Sequence, residues 1–246
     1  MNRVAPLNHL VSYAEKGKSN ALQISASQQI YVYNMRAWNR TGSSINVGLC
    51  RRLKAGVGRY KFWTKVSTTY TNITAALEAG TASQIVTATN SDGFIVQSDR
   101  RIGLIGLTIS NTATGGTYTF EYFNGSTWTS LTTIENFTNF NSTGDKYLVF
   151  IPPHDWAQGD GAATAIDQNM YSIRVLHTTA PGDTGSANAL WIAEFLDYWE
   201  GLGDNSCAEL MFDSERPFLL EGGEGLLPYF STTNAANQFG AFYSVG

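Results

Sequence analysis

The sequence is poor in charge. Asp, Glu, Lys and Arg make up only 15% of its 246 residues, against about 25% in ordinary soluble chains. It has just 3 histidines and 2 cysteines, so the usual carriers of catalysis are few. No His-x-x-x-His, Cys-x-x-Cys, nucleophile elbow or phosphate-cradling loop is present. No run approaches the ~18 to 20 uninterrupted apolar residues that a membrane-spanning helix needs. The first residues, MNRVAPLNHLVSYAEKGKSN, lack the apolar core of a signal peptide, which sets synthesis in the cytoplasm as the expectation. Cys50 and Cys207 lie far apart in sequence and read as small hydrophobes, since a disulfide would need them adjacent in space. Sequons beginning at Asn39, Asn72, Asn124, Asn136 and Asn141 read as chance products of a Ser/Thr-rich chain.

What is present is the raw material of β-structure. Hydrophobic residues reach 43% and aromatics 13%, with 24 glycines, 6 prolines and a net charge of −4. Apolar content that high with so little net charge excludes a disordered chain. β-branched and aromatic side chains pack well on a pleated surface, and the pattern along the chain follows that rule. The period becomes two near Leu22 and continues through Ile30–Trp38, a Gly42-marked turn and Ile45–Leu49. A basic loop spans Arg51–Arg59, and Tyr60–Val66 is the next strand. Further strands are expected at 84–88, 93–97, 102–109, 116–123, 128–131, 147–151, 171–176 and 189–195. Asn124-Gly125 predicts a type I′ hairpin turn, which requires positive φ at both central residues. Only Ile73–Ala79 and Trp191–Gly201 suggest helix.

These elements predict an all-β fold of two antiparallel β-sandwich units, the second inserted into the first. Residues 1–20 read as an irregular basic arm. The strands before residue 66 and after residue 204 are each too few to bury both faces of a sheet, so 21–66 and 204–246 together form a basal sandwich. Residues 67–203 form the inserted one. Charge follows the same division: residues 1–65 carry eleven bases and one acid, 66–203 four bases and thirteen acids, and 204–246 one base and six acids. Such asymmetry points to an electrostatically chosen partner surface, or to one segment answering another within the fold.

The stretch from about residue 62 to 195 carries a series of motifs. They are Tyr70-Thr-Asn-Ile-Thr74, Asp92-Gly-Phe-Ile-Val-Gln-Ser-Asp99, Thr119-Phe-Glu-Tyr-Phe-Asn-Gly-Ser-Thr-Trp-Thr-Ser-Leu131, Phe150-Ile-Pro-Pro-His-Asp-Trp-Ala157 and Tyr171-Ser-Ile-Arg-Val175. Together they resemble a β-sandwich module of virion structural proteins from tailed phages. They depart from it at Tyr171-Ser172, where that family often has Tyr-Trp. The flanking segments resemble, more loosely, capsid decoration proteins. The resemblance implies a non-enzymatic particle component without cofactor or metal and leaves its place on the particle open; the first expectation is a decoration protein on the capsid surface, made in the host cytoplasm. Its expected partners are the major capsid protein and further copies of itself, a trimer among the options, with no nucleic acid and no membrane.

Two groups of residues are candidates for contact. Arg3, Lys16, Lys18, Arg51, Arg52, Lys54, Arg59 and Lys61 form the basic candidates for an acidic capsid surface, where complementary charge gives steering and register. Phosphate-backbone contact and an ordinary solvated loop are the competing readings of the same cations. Tyr122, Trp128 and Trp156 lie near turns and could form an outward aromatic platform for stacking sugars, the feature expected of a tail or fibre module that binds host-surface glycans. The bland reading makes them core. His154 beside Asp155 reads as a turn cap, and the acidic loop holding Asp155, Asp160 and Asp167 reads as solvated, because its spacing does not follow the EF-hand pattern.

Overall fold

The computed structural model describes residues 8–13, 22–23, 25, 27–56, 58–137, 140–160, 166–213, 216–232 and 237–245. In chain order the strands are Asn8–Tyr13 (β1), Leu22–Gln23 (β2), Ile30–Trp38 (β3), Ile45–Arg52 (β4), Tyr60–Val66 (β5) and Thr69–Asn72 (β6). A single helical turn, Thr74–Glu78 (α1), precedes Ser83–Val86 (β7), Gly93–Ser98 (β8), Leu104–Asn111 (β9), Thr117–Phe123 (β10), Trp128–Ser130 (β11) and Gly144–Val149 (β12). Then follow Tyr171–Thr179 (β13), Gly185–Leu202 (β14), Cys207–Met211 (β15), Phe218–Leu220 (β16), Gly225–Phe230 (β17) and Gln238–Val245 (β18). The protein is all-β and its described sheets are built from antiparallel pairs.

The chain divides into two compact units, Met1–Lys54 with Ala193–Gly246, and Ala55–Ile192. Strand β14 contributes its first half to the second unit and its second half to the first.

In the first unit, one sheet runs β1-β18-β3-β15, with β16 also on β3. Its second sheet joins the latter half of β14 to β4, β17 and β2. Alternation decides what each face does, because successive side chains of a strand point to opposite sides. Ile30, Val32, Met35, Ala37, Phe239 and Ala241 from the first sheet share a buried cluster with Ile45, Val47, Leu49, Leu226 and Phe230 from the second. Two sheets facing each other across one apolar layer make a β-sandwich. The segment 1–20, expected to be irregular, supplies β1, whose backbone pairs with β18 from Asn8↔Tyr243 to Tyr13↔Gln238.

In the second unit, a six-stranded sheet runs β11-β10-β13-β8-β5-β6. Strand β5 was expected in the basal sandwich. It pairs instead with β8, from Tyr60↔Ser98 to Lys65↔Gly93. The inward row of this sheet, Phe62, Phe94, Val96, Ile173 and Val175, is buried. Phe137 and Phe140 add their rings to it, 6.0 and 6.1 Å from Phe94. Strands β12 and β9, then the first half of β14 with β7, form the other sheet. There Trp191 lies against Gly106, where an added Cβ would sit 2.0 Å from the indole.

Three local expectations are corrected. Trp191–Gly201 lies within strand β14 rather than a helix. Arg51 and Arg52 belong to β4, not to a loop. The Asn124-Gly125 turn is not type I′: only Gly125 has positive φ (+97°), and Asn124 Oδ1 accepts the amides of Ser126 and Thr127 at 3.0 and 2.8 Å. That side-chain turn spares Asn124 the left-handed conformation.

Candidate interaction surfaces

The described basic candidates are divided between the two units. Arg3, Lys16 and Lys18 lie outside the described residues. Arg51, Arg52 and Lys54 belong to the first unit, Arg59 and Lys61 to the second. Arg51 is half-buried, paired with Glu194 across the β4–β14 ladder, with its guanidinium 5.1 Å over the Phe218 ring. Arg59 pairs with Asp99 at 3.2 Å and Lys61 with Asp167 at 2.8 Å. The stem of Lys54 packs beside Gly223. Each of these three pairs offsets its own charge locally, which weakens the positive field at Arg51, Arg59 and Lys61.

The aromatic candidates are corrected as well. Trp156 is 1% exposed and its Nε1 donates to the Ser172 carbonyl at 3.1 Å. Tyr122 is buried, and its hydroxyl donates to Asp155 at 3.0 Å. Their positions beside turns suggested exposure, yet a ring with one polar handle is well suited to burial once that handle finds an acceptor. Trp128 alone stays half-exposed, and Arg174 covers one face of its ring at 4.3 Å.

His154 has a side chain 99% exposed, 3.9 Å from Asp155. The three loop carboxylates do not converge: Asp155 accepts from Tyr122, Asp160 from Gln168 and Asp167 from Lys61. Among the described residues no group of three or more His, Cys, Asp or Glu could hold a metal ion. Cys50 and Cys207 are free thiols, Cys50 buried on β4 and Cys207 exposed on β15, and burial pushes the Cys50 thiol up. Asn39 is fully buried, its amide donating to the carbonyls of Ser43 and Leu202, so that sequon cannot accept a glycan. Two open clefts of about 300 and 330 Å³ occur in the second unit. Thr64, Thr71, Ile85 and Thr87 help line the first, and Lys61, Asn72 and Glu78 the second. Glu78 is occupied with the Gly56 amide at 2.9 Å.

Strand register reveals two faces that residue type alone did not single out. In the first unit, the residues of β3 opposite in parity to the core are Tyr31, Tyr33, Arg36 and Trp38, all half-buried. Their cross-strand neighbours bring Met211, Leu219 and Phe242 to the same side, with Met211 72% and Leu219 37% exposed. The charges here neutralise each other: Arg36 Nη2 meets Glu209 at 2.6 Å, and Asn34 donates to the same oxygen. Arg36 and Asn34 hold the Glu209 carboxyl below its usual range. In the second unit, one row across the outer side of the six-stranded sheet reads Ser130, Glu121, Arg174, Ile95, Trp63, Asn72. Trp63 Nε1 donates to Gln97, and Gln97 holds Asp167 and Ser172, fixing the 166–170 segment beside that row.

No family model matches this chain, and neither a curated protein nor a solved structure matches it.

Proposed function

We propose that this chain is a structural virion protein of a tailed phage that binds and stabilises the capsid surface as a decoration protein. The reading rests on the motif resemblance of residues 62–195. The single observation that carries the mode of action is the outer face of the β1-β18-β3-β15 sheet. Met211 and Leu219 stand exposed there beside half-buried Tyr31, Tyr33, Trp38 and Phe242, and the charges of Arg36 and Glu209 neutralise each other. Apolar and aromatic side chains at the centre of a patch with little net charge are what a stable protein interface is built from. In this reading the major capsid protein supplies the opposing surface, and the unit spanning Ala55–Ile192 is an insertion into the chain of the basal sandwich. Contacts of ~1,600 Å² repeated on a lattice would hold capsomers together.

The test is binding to purified heads lacking the protein, with copies counted by gel densitometry and located by cryo-EM. Met211→Asp with Leu219→Asp should abolish attachment while leaving the circular dichroism spectrum unchanged. Attachment equal to wild type would remove this face from the argument.

A second reading, a tail or fibre module for host-surface glycans, is favoured by one observation. Trp63 and Trp128, both half-exposed, lie on the same face as Arg174 and Glu121. Binding on a glycan array that is lost in Trp63→Ala would favour it, and placement of a few copies at the tail would displace the decoration reading.

A further inference from the structure

His177 is 3% exposed near the end of β13, beneath the connection from β7 to β8. Three contacts tie that connection to it. The Ser91 amide donates to the His177 carbonyl at 2.9 Å, the His177 amide donates to the Asp92 carbonyl at 2.9 Å, and Nδ1 lies 3.2 Å from the Thr89 carbonyl oxygen. A carbonyl only accepts, so Nδ1 carries the proton of the neutral ring and Nε2 is the bare nitrogen. Nε2 is buried and has no hydrogen-bond partner.

The surroundings decide what a second proton would do. From β10, the Tyr118 ring stands at 87° to the imidazole with centroids 5.1 Å apart, and its buried hydroxyl also has no partner. Burial and Asp183 push that phenol up to about 12, so it offers no charge. Asp183 itself is held by the amide and hydroxyl of Thr114. Just before β8, Asp92 is the carboxylate whose charge acts on the ring, and its oxygens are engaged elsewhere, by the Ser67 amide at 2.6 Å and the Thr87 hydroxyl at 2.7 Å. From β5, Lys65 places its ammonium on the Ser91 carbonyl at 2.7 Å, adding a like charge nearby. Burial lowers the His177 pKa, and the pull of the Thr89 carbonyl and Asp92 in the opposite direction does not overcome it. A buried N–H⁺ without an acceptor is among the costlier defects a fold can carry.

We infer that His177 is an acid-sensitive latch, holding the segment Thr87–Asp92 closed when neutral and releasing it when protonated. Release is the low-cost route to solvating Nε2, because Ala88, Thr89, Asn90 and Ser91 are already exposed and carry no core side chain. The neighbouring bond from the Ala180 amide to Asn90 Oδ1 would open with them.

Amide hydrogen exchange on the whole chain tests this at pH 7.5 and pH 5, corrected for intrinsic rates and run beside an NMR titration of the imidazoles. The Ser91 and His177 amides should lose protection several-fold on acidification, with a midpoint that follows the His177 ring. His177→Asn keeps a side-chain N–H for the Thr89 carbonyl but cannot titrate, so it should show no such loss. His154→Gln, at an exposed site, should behave as wild type. Unchanged protection in the wild type at pH 5, or an equal loss in His177→Asn, overturns the latch. Should His177→Asn fail to fold, the wild-type midpoints decide: coincidence with the imidazole supports the latch and separation from it overturns it.

Discussion

The guanidinium of Arg174 lies 4.3 Å over the Trp128 ring while its Nε donates to Glu121 at 2.7 Å, so one side chain joins β13 to both β10 and β11. Strand β11 has only three residues and needs this support, since short ladders are weak alone. Arg174→Ala removes a cation–π contact and a half-buried ion pair, together about 1 to 2 kcal/mol. Arg174→Lys should recover less than half, because an ammonium lacks the planar fork. Urea melts of the three proteins check the order, and equal midpoints would show that β11 does not depend on this stack.

Gly106 exists to make room for Trp191. A methyl group there would lie 2.0 Å from the indole, and the indole is 7% exposed and hemmed in by Tyr147 at 5.9 Å between ring centroids. Gly106→Ala should therefore cost about 3 kcal/mol, the upper end of ordinary overpacking. The sharper test is coupling: with Trp191→Ala in place, the same substitution should cost much less. Additive costs would mean that the clash is relieved elsewhere.

Asp167 gives a pH prediction of a different kind. Lys61 and the Asn169 amide lower its pKa from the ordinary 3.8. Its folded pKa is depressed, so its contribution is fully present above that ordinary value and is lost as pH falls through the folded one. Lys61→Met should flatten the stability of the chain against pH in that acid window and leave the curve near neutrality almost parallel to wild type. The pair is about 30% exposed on each side, so the effect should stay below about 1 kcal/mol. An undiminished acid slope in the variant would assign it to other carboxylates.

How far the sequence could be read depended on whether parity survived along each strand. The core of β3 was legible in Ile30, Val32 and Ala37, and the positions of β8 to β13 followed from alternation and turn residues. Strand β14 was ambiguous for a stated reason. Its ladder with β4 shifts register between Phe195 and Asp197 and again between Trp199 and Leu202. Two such irregularities turn a period of two into the spacing Trp191, Ile192, Phe195, Leu196, Trp199, which matches a helical stripe equally well. The aromatic face of the first unit was hidden similarly, because β3 and β18 shift register near Asn34 and place Tyr33 and Asn34 on the same side. The ion pairs of the basic candidates were hidden for a different reason. Cations adjacent in sequence met acids as distant as Glu194 and Asp167, and pairing at that range leaves no local signature.

The division into two units makes the last prediction. A chain of residues 55–192 contains all six strands of the β11-β10-β13-β8-β5-β6 sheet, the β12 and β9 strands and the first half of β14. It also holds the Phe62, Phe94, Phe137 and Phe140 ring cluster. A unit with its own core should fold alone, so this chain should melt cooperatively with the near-ultraviolet signal of packed aromatics. A chain of residues 67–203 lacks β5, leaving β8 without one neighbour and Phe94 without the Phe62 ring that stacks on it at 4.8 Å. It should be markedly less stable or unfolded. If both melt alike, β5 is dispensable and the boundary lies at residue 66; if neither folds while the whole chain is stable, the second unit depends on the first and is not an independent insertion.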